Sequence, residues 1–181
     1  RLVCKVRRKN RYNSYRGEQG IVAPNLLKRQ FEADAPNQKW VTDVTEFSVD
    51  DRKLYLSPVM DLFDRQIISY AIGTSPNLEL ANSSLRGALA TLEEGQKPLV
   101  HSDQGFQYQH TSWRLLLQNA GAIQSMSRKA NCYDNAVMEN FFGHLKEELF
   151  HRVRFLNTDA LASALHEYIR WYNTERISTK L

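Results

Sequence analysis

Trp40-Val41-Thr42-Asp43-Val44-Thr45-Glu46-Phe47 is a run of β-branched and aromatic residues with a carboxylate in its interior. That composition predicts a strand. An acid placed there loses its hydration and needs a positive partner. Downstream, a polar turn at Asp50, Asp51 and Arg52 precedes two more strand-like segments, Leu54 to Met60 and Gln66 to Ile72. The short connections predict an antiparallel meander. Ser75 before Pro76 then reads as the start of a helix whose apolar stripe (Leu78, Ala81, Leu85, Ala88, Leu92) continues to Gly95. Leu99 to His101 reads as a short strand, Thr111 to Ala120 as a helix ended by Gly121, and Ala122 to Met126 as a strand. Two helices follow, about Asn135 to Phe150 and about Thr158 to Asn173, with Asp134 and with Asn157 or Thr158 as caps. The order βββαβαβαα predicts an α/β fold, a mixed five-stranded sheet with helices on its faces.

Upstream of Trp40 the character changes. Residues 1–38 read as a basic arm or linker with one short helix around Asn25 to Phe31, and residues 39–181 as the core. Residues 1–29 hold nine Lys/Arg and only Glu18, a net of +8; against +4 for the whole chain, the remainder nets −4. A basic arm on a mildly acidic body is suited to a phosphate backbone. The 181 residues are 42% hydrophobic and 24% charged, enough for one cored domain, and contain no apolar run long enough to span a membrane. Cys4 and Cys132 form no CxxC pair, and the five histidines lack zinc-ligand spacing with them. A reducing, cytoplasmic setting is expected. The chain opens on Arg1 rather than Met, which reads as a piece of a longer protein.

Three acids are candidates for chemistry. Asp43 is interior to a strand; Asp103 follows Leu99-Val100-His101 at a strand's carboxyl end, where ligand sites of open α/β sheets gather. Glu139 lies one turn into a helix, beside the stripe of Met138, Phe141, Phe142 and Leu145, on a face shared with Gly143 and Lys146. Singly, each acid has an ordinary role: a lysine's partner, a turn cap, a first-turn helix acid. Together they form a hard oxygen donor set suited to two Mg²⁺ or Mn²⁺ ions. Asp61 and Asp64 read as turn residues. Trp171 and Tyr172 read as core.

The run from Trp40 to Phe47, the segment His101-Ser102-Asp103-Gln104-Gly105-Phe106-Gln107-Tyr108, and the stretch from Ser125 through Asp134, Asn135, Glu139 and Asn140 to Lys146 closely resemble the catalytic core of bacterial insertion-sequence transposases of the OrfB type, relatives of retroviral integrases. Glu139 follows Asp103 with 35 residues between them, the spacing of that DDE family. The resemblance implies a ribonuclease H-like fold in which Asp43, Asp103 and Glu139 bind the catalytic metals. It also implies cleavage at mobile-element DNA ends and transfer of a 3′-hydroxyl into target DNA, by a homo-oligomer with a helix-turn-helix region encoded upstream. Lys146, Arg128, Lys129, Asn131 and Asn135 are the expected DNA contacts. The segment Glu175-Arg176-Ile177-Ser178-Thr179 departs from the family's more basic ending. A structure-selective nuclease on the same fold, or a non-catalytic DNA-binding or assembly module, are the competing functions.

Overall fold

Alternation along the first strands decides the layering. In the computed structural model, which describes residues 20–129 and 131–176, β1 (Lys39–Thr42), β2 (Thr45–Val49), β3 (Arg52–Asp61) and β4 (Ile67–Gly73) are joined by short turns. Trp40 packs on one face of the sheet with Val59, Leu85, Val100 and Trp113. Val41, next in sequence, packs on the other with Phe141, Leu145, Leu161 and Leu165. A period of two therefore feeds two cores. The first core is roofed by α1 (Leu78–Leu89) and α3 (Thr111–Asn119), the second by α4 (Ala136–Leu145) and α5 (Thr158–Thr174).

The single first strand expected from sequence is divided. β1 and β2 follow one another along the same edge of β3, at Trp40↔Asp61 to Thr42↔Val59 and Thr45↔Leu56 to Val49↔Arg52. The break falls at Asp43 and Val44, where the Asp43 Oδ1 accepts its neighbour's amide (Val44 N, 2.7 Å) and so replaces a ladder bond. β4 lines the opposite edge of β3. On the far side β1 pairs in parallel with β5 (Leu99–Ser102), and β5 with β6 (Ile123–Met126). Counted as segments the sheet has six strands; with β1 and β2 taken as one interrupted strand it is the mixed five-stranded sheet.

Other boundaries shift for local reasons. α1 is capped by Asn77, not Ser75: the Asn77 Oδ1 accepts the Leu80 amide at 2.9 Å. It stops at Leu89 because the Thr91 hydroxyl donates to the Ala88 carbonyl at 2.7 Å and closes the last turn. A four-residue helix, α2 (Phe106–Gln109), precedes α3. α4 runs on into a π turn over Lys146–Phe150. Asn157 caps α5, accepting from Ala160 N at 2.8 Å.

Residues 23–32 lie against the core as a strap. Leu27 is buried among the α4/α5-side residues. The Leu26 and Leu27 amides donate to Ser125 Oγ at 2.9 and 3.1 Å. Lys39 Nζ donates to the carbonyls of Gln30 and Glu32. The short helix expected around Asn25 to Phe31 is instead a turn, with Lys28 and Arg29 at positive φ.

Candidate active site

The β1–β5 ladder keeps a constant offset: Lys39↔Leu99, Trp40↔Val100, Val41↔His101. Asp43 and Asp103 each follow the last residue of their strand, Thr42 of β1 and Ser102 of β5, so both acids lie at the same end of the paired strands. Both are half-buried. Burial and then the Asp103 charge push the Asp43 carboxyl up to about 7 from 3.8, with a smaller push from Glu139. Burial raises Asp103 as well. Two carboxylates that resist ionising beside each other make a site that attracts cations.

Each acid has a local support. The Asp103 Oδ1 accepts the Gly105 amide at 2.8 Å, and a β-carbon on Gly105 would come within 2.9 Å of that oxygen. A larger residue at this position would push the Asp103 and Gln107 side chains aside. Behind it stands a buried polar relay absent from the sequence reading: His101 Nδ1 lies 2.8 Å from Ser125 Oγ and Nε2 3.1 Å from Ser127 Oγ. Gln104 Nε2 donates to Ser127 O at 3.0 Å. Burial lowers His101 to about 4, so its ring is neutral at pH 7. Tyr108 is fully buried near the pair. Burial first, then the charges of Asp43 and Asp103, hold its hydroxyl protonated.

Glu139 sits on the exposed side of α4, whose Met138, Phe141, Phe142 and Leu145 are buried. Among the described residues no three His, Cys, Asp or Glu side chains are grouped to hold a metal ion, although the Glu139 charge is felt at Asp43. The donor chemistry nonetheless fits a hard divalent cation: carboxylates only, two of them half-buried beyond the ends of neighbouring strands.

The residues expected at DNA separate into groups. Lys129 is exposed. Lys146 is half-buried with Nζ 5.4 Å from the Phe47 ring centroid; burial lowers its ammonium, and the Glu46 charge partly offsets this. Arg128 is engaged by Asp134, Nε to Oδ2 and Nη2 to Oδ1, both at 3.0 Å, with 60% of its side chain still exposed. Asp134, expected as a cap, is instead a buried hub. It also accepts from the Arg128 amide, Arg29 Nε (2.9 Å) and Asn25 Nδ2 (2.9 Å), which fastens the strap to the loop before α4. These donors hold its carboxyl well below the usual range. Asn131 accepts from Arg29 Nη2 at 3.1 Å. Asn135, expected at DNA, is 4% exposed; its amide is turned inward to the Thr42 carbonyl at 3.3 Å because the chain enters α4 directly over the end of β1. Asp61, expected in a turn, is the buried last residue of β3, accepting from the Asn37 and Phe63 amides, whereas Asp64 lies in the following turn and accepts from the Gln66 amide. Tyr172 packs edge-on against Phe141, whereas Trp171 is 37% exposed.

Family models described as integrase core domain match residues 33–132 and 139–181. The chain belongs to the integrase core domain family. This integrase core is 49% identical over 178 residues to a transposase-like protein of Haemophilus influenzae, covering 98% of the chain and 81% of that relative. It is 52% identical over 171 residues to the InsK protein of insertion sequence element IS150 in Escherichia coli, covering 94% of the chain but 60% of the relative's length. The transposase InsF of insertion sequence IS3A, also from Escherichia coli, is 36% identical over 168 residues, with 93% and 58% covered. These relatives agree with the OrfB-type resemblance of the motifs. Among solved structures, a simian T-cell lymphotropic virus intasome with a PP2A regulatory subunit superposes with a TM-score of 0.69 at 20% identity, over 90% of this chain and 56% of that one. The HTLV-2 integrase catalytic core in complex with magnesium gives 0.62 at 17% identity, over 81% and 92%. The fold is that of the ribonuclease H-like integrase cores.

Proposed function

We propose that this chain is the catalytic core of a DNA transposase, a metal-dependent polynucleotidyl transferase that cleaves phosphodiesters at the ends of a mobile element and joins the 3′-hydroxyl to target DNA. The observation that carries this is the position of Asp43 and Asp103 immediately beyond the ends of the paired parallel strands β1 and β5, close enough that the charges of Asp103 and Glu139 both act on the Asp43 carboxyl. Asp43 and Asp103, with Glu139 drawn in, are the residues that would hold the two Mg²⁺ or Mn²⁺ ions. When bound, such ions supply charge neutralisation at the scissile phosphate and at the attacking and leaving oxygens. The chain's own part is positional. The Val44 and Gly105 amides fix one oxygen each of Asp43 and Asp103, leaving the other oxygen of each free to face a ligand. The neutral His101 relay holds the strand end behind Asp103 without adding a charge that would repel cations. Lys146, Lys129 and the outward edge of Arg128 provide positive charge for phosphates, and Asn131 a polar contact. DNA, further copies of this chain and an upstream helix-turn-helix region are the proposed partners, acting in a bacterial cytoplasm. Among the described residues no helix is long and apolar enough to cross a membrane.

A strand-transfer assay on the full chain, with a labelled element end and a plasmid target, tests this. Joined products are expected in Mg²⁺ and none in EDTA or with Glu139→Gln, while that variant still binds DNA. Joining that survives in EDTA or in Glu139→Gln would refute the metal reading. Hydrolysis without joining would assign the core to the nucleases instead.

A further inference from the structure

Asn135 occupies the residue before α4, where an asparagine ordinarily accepts a hydrogen bond from the first helical turn. Here it makes no side-chain cap bond. Its Nδ2 instead reaches 93 positions back along the sequence to the carbonyl of Thr42, at 3.3 Å, in a fully buried setting. Thr42 is the last residue of β1, immediately before Asp43, and its hydroxyl is in turn committed to the Pro58 carbonyl at 2.8 Å. Glu139 follows Asn135 by one helical turn. One buried amide thus links the strand end carrying Asp43 to the helix start carrying Glu139. The Asn135 Oδ1 is buried without a partner. A buried acceptor left unpaired carries a desolvation cost, and its retention points to a role other than stability.

We propose that Asn135 is a positioning residue that sets the distance between Asp43 and Glu139, acting through the Thr42 carbonyl rather than by touching DNA. The inference rests on Asp43 and Glu139 being metal ligands. Helix α4 packs on the sheet by its apolar stripe, which resists separation from the sheet but constrains sliding along it only weakly. A directional hydrogen bond at its first turn supplies that constraint. Second-shell partners of this kind usually change metal affinity when removed, with little effect on charge or surface.

Mn²⁺ binding to the full chain, followed by the loss of the free-ion EPR signal, gives a readout that a purely structural residue would not move selectively. Asn135→Ala and the near-isosteric Asn135→Leu are expected to weaken Mn²⁺ binding about 10–100-fold, with affinity for duplex DNA in EDTA unchanged. In a Glu139→Gln background the same substitutions are expected to have little further effect, because the ligand they position is already lost. Equal weakening with and without Glu139, loss of DNA affinity in EDTA, or unchanged Mn²⁺ binding would each overturn the assignment. So would failure of both variants to show a cooperative urea transition, which would make Asn135 a structural residue. If the unsubstituted chain itself bound no Mn²⁺, the metal reading would fall with it. Mn²⁺ binding that tolerates both Asn135 variants would overturn this inference alone.

Discussion

Replacing Asp43 by Asn should stabilise the metal-free protein at neutral and alkaline pH, although it removes one of the proposed metal ligands. The folded state holds the Asp43 proton up to about pH 7, whereas the ordinary value is 3.8. Between those values the folded chain binds a proton that the unfolded chain has released, so this group makes stability fall as pH rises through the window. At 1.36 kcal/mol per unit, a displacement of about 3 units costs up to about 4 kcal/mol once both states are ionised. The opening of the half-buried side chain to solvent makes that an upper bound. Asn is neutral and similar in shape, and its Oδ1 can still accept the Val44 amide, so it removes the charge penalty and little else. Urea denaturation in EDTA is the assay. Asp43→Asn and the parent should match near pH 4, and the variant should lead by roughly 2–4 kcal/mol at pH 8. In millimolar Mg²⁺ the lead should shrink, because binding to the folded parent adds about 1.4 kcal/mol for each tenfold excess over Kd. A variant no more stable than the parent at pH 8 in EDTA would refute the argument that two crowded carboxylates oppose folding here.

His101 works in the opposite direction. Its folded value of about 4 lies below 6.5, so its contribution is lost as pH falls through that interval. A neutral replacement such as His101→Gln should therefore unmask a fall in stability as pH rises from 4 to 6.5, where the Asp43 and His101 slopes otherwise oppose each other, as read by the same denaturation series. Lys146→Ala should weaken duplex DNA binding and lower the slope of log affinity against log salt by about one phosphate contact, leaving Mn²⁺ binding intact. The expectation that residues 1–29 supply non-specific affinity must spare the strap, because Leu27 is buried. Removing residues 1–19, which carry seven Lys/Arg and one Glu and lie outside the described residues, should reduce DNA affinity most at low salt; equal salt slopes with and without them would show that they make no phosphate contacts.

The strands were legible as short β-branched and aromatic runs set off by turn residues, with a clean period of two in β2, and the long helices by the wide apolar stripes of α1, α4 and α5. What escaped reading has no period. The division of the first strand depends on one local bond from Asp43 to Val44, while the β-branched pattern runs on unbroken through it. The strap looks like a linker by its glycines, prolines and charges. It is held by a single buried leucine and by acceptors, Ser125 and Asp134, about a hundred residues away in sequence. Asp134 resembles a helix cap in every local respect, and only the arrival of Arg29 and Asn25 from the strap makes it a hub. The three acids could be singled out by chemistry and spacing. The inward turn of Asn135 could not, because nothing in its neighbourhood along the chain indicates that it lies above the end of β1.

The parallel pairing of β1 with β5 also governs the order in which the candidate site is assembled during synthesis. Asp43 is synthesised first, and its partner strand emerges only after the whole meander and α1 have been made; Glu139 comes later still. A ribosome-bound or prematurely terminated chain that ends before α4 has two acids at most and nothing to roof them. On the proposed function, the three acids can come together only once α4 has been made, an order of assembly set by topology alone.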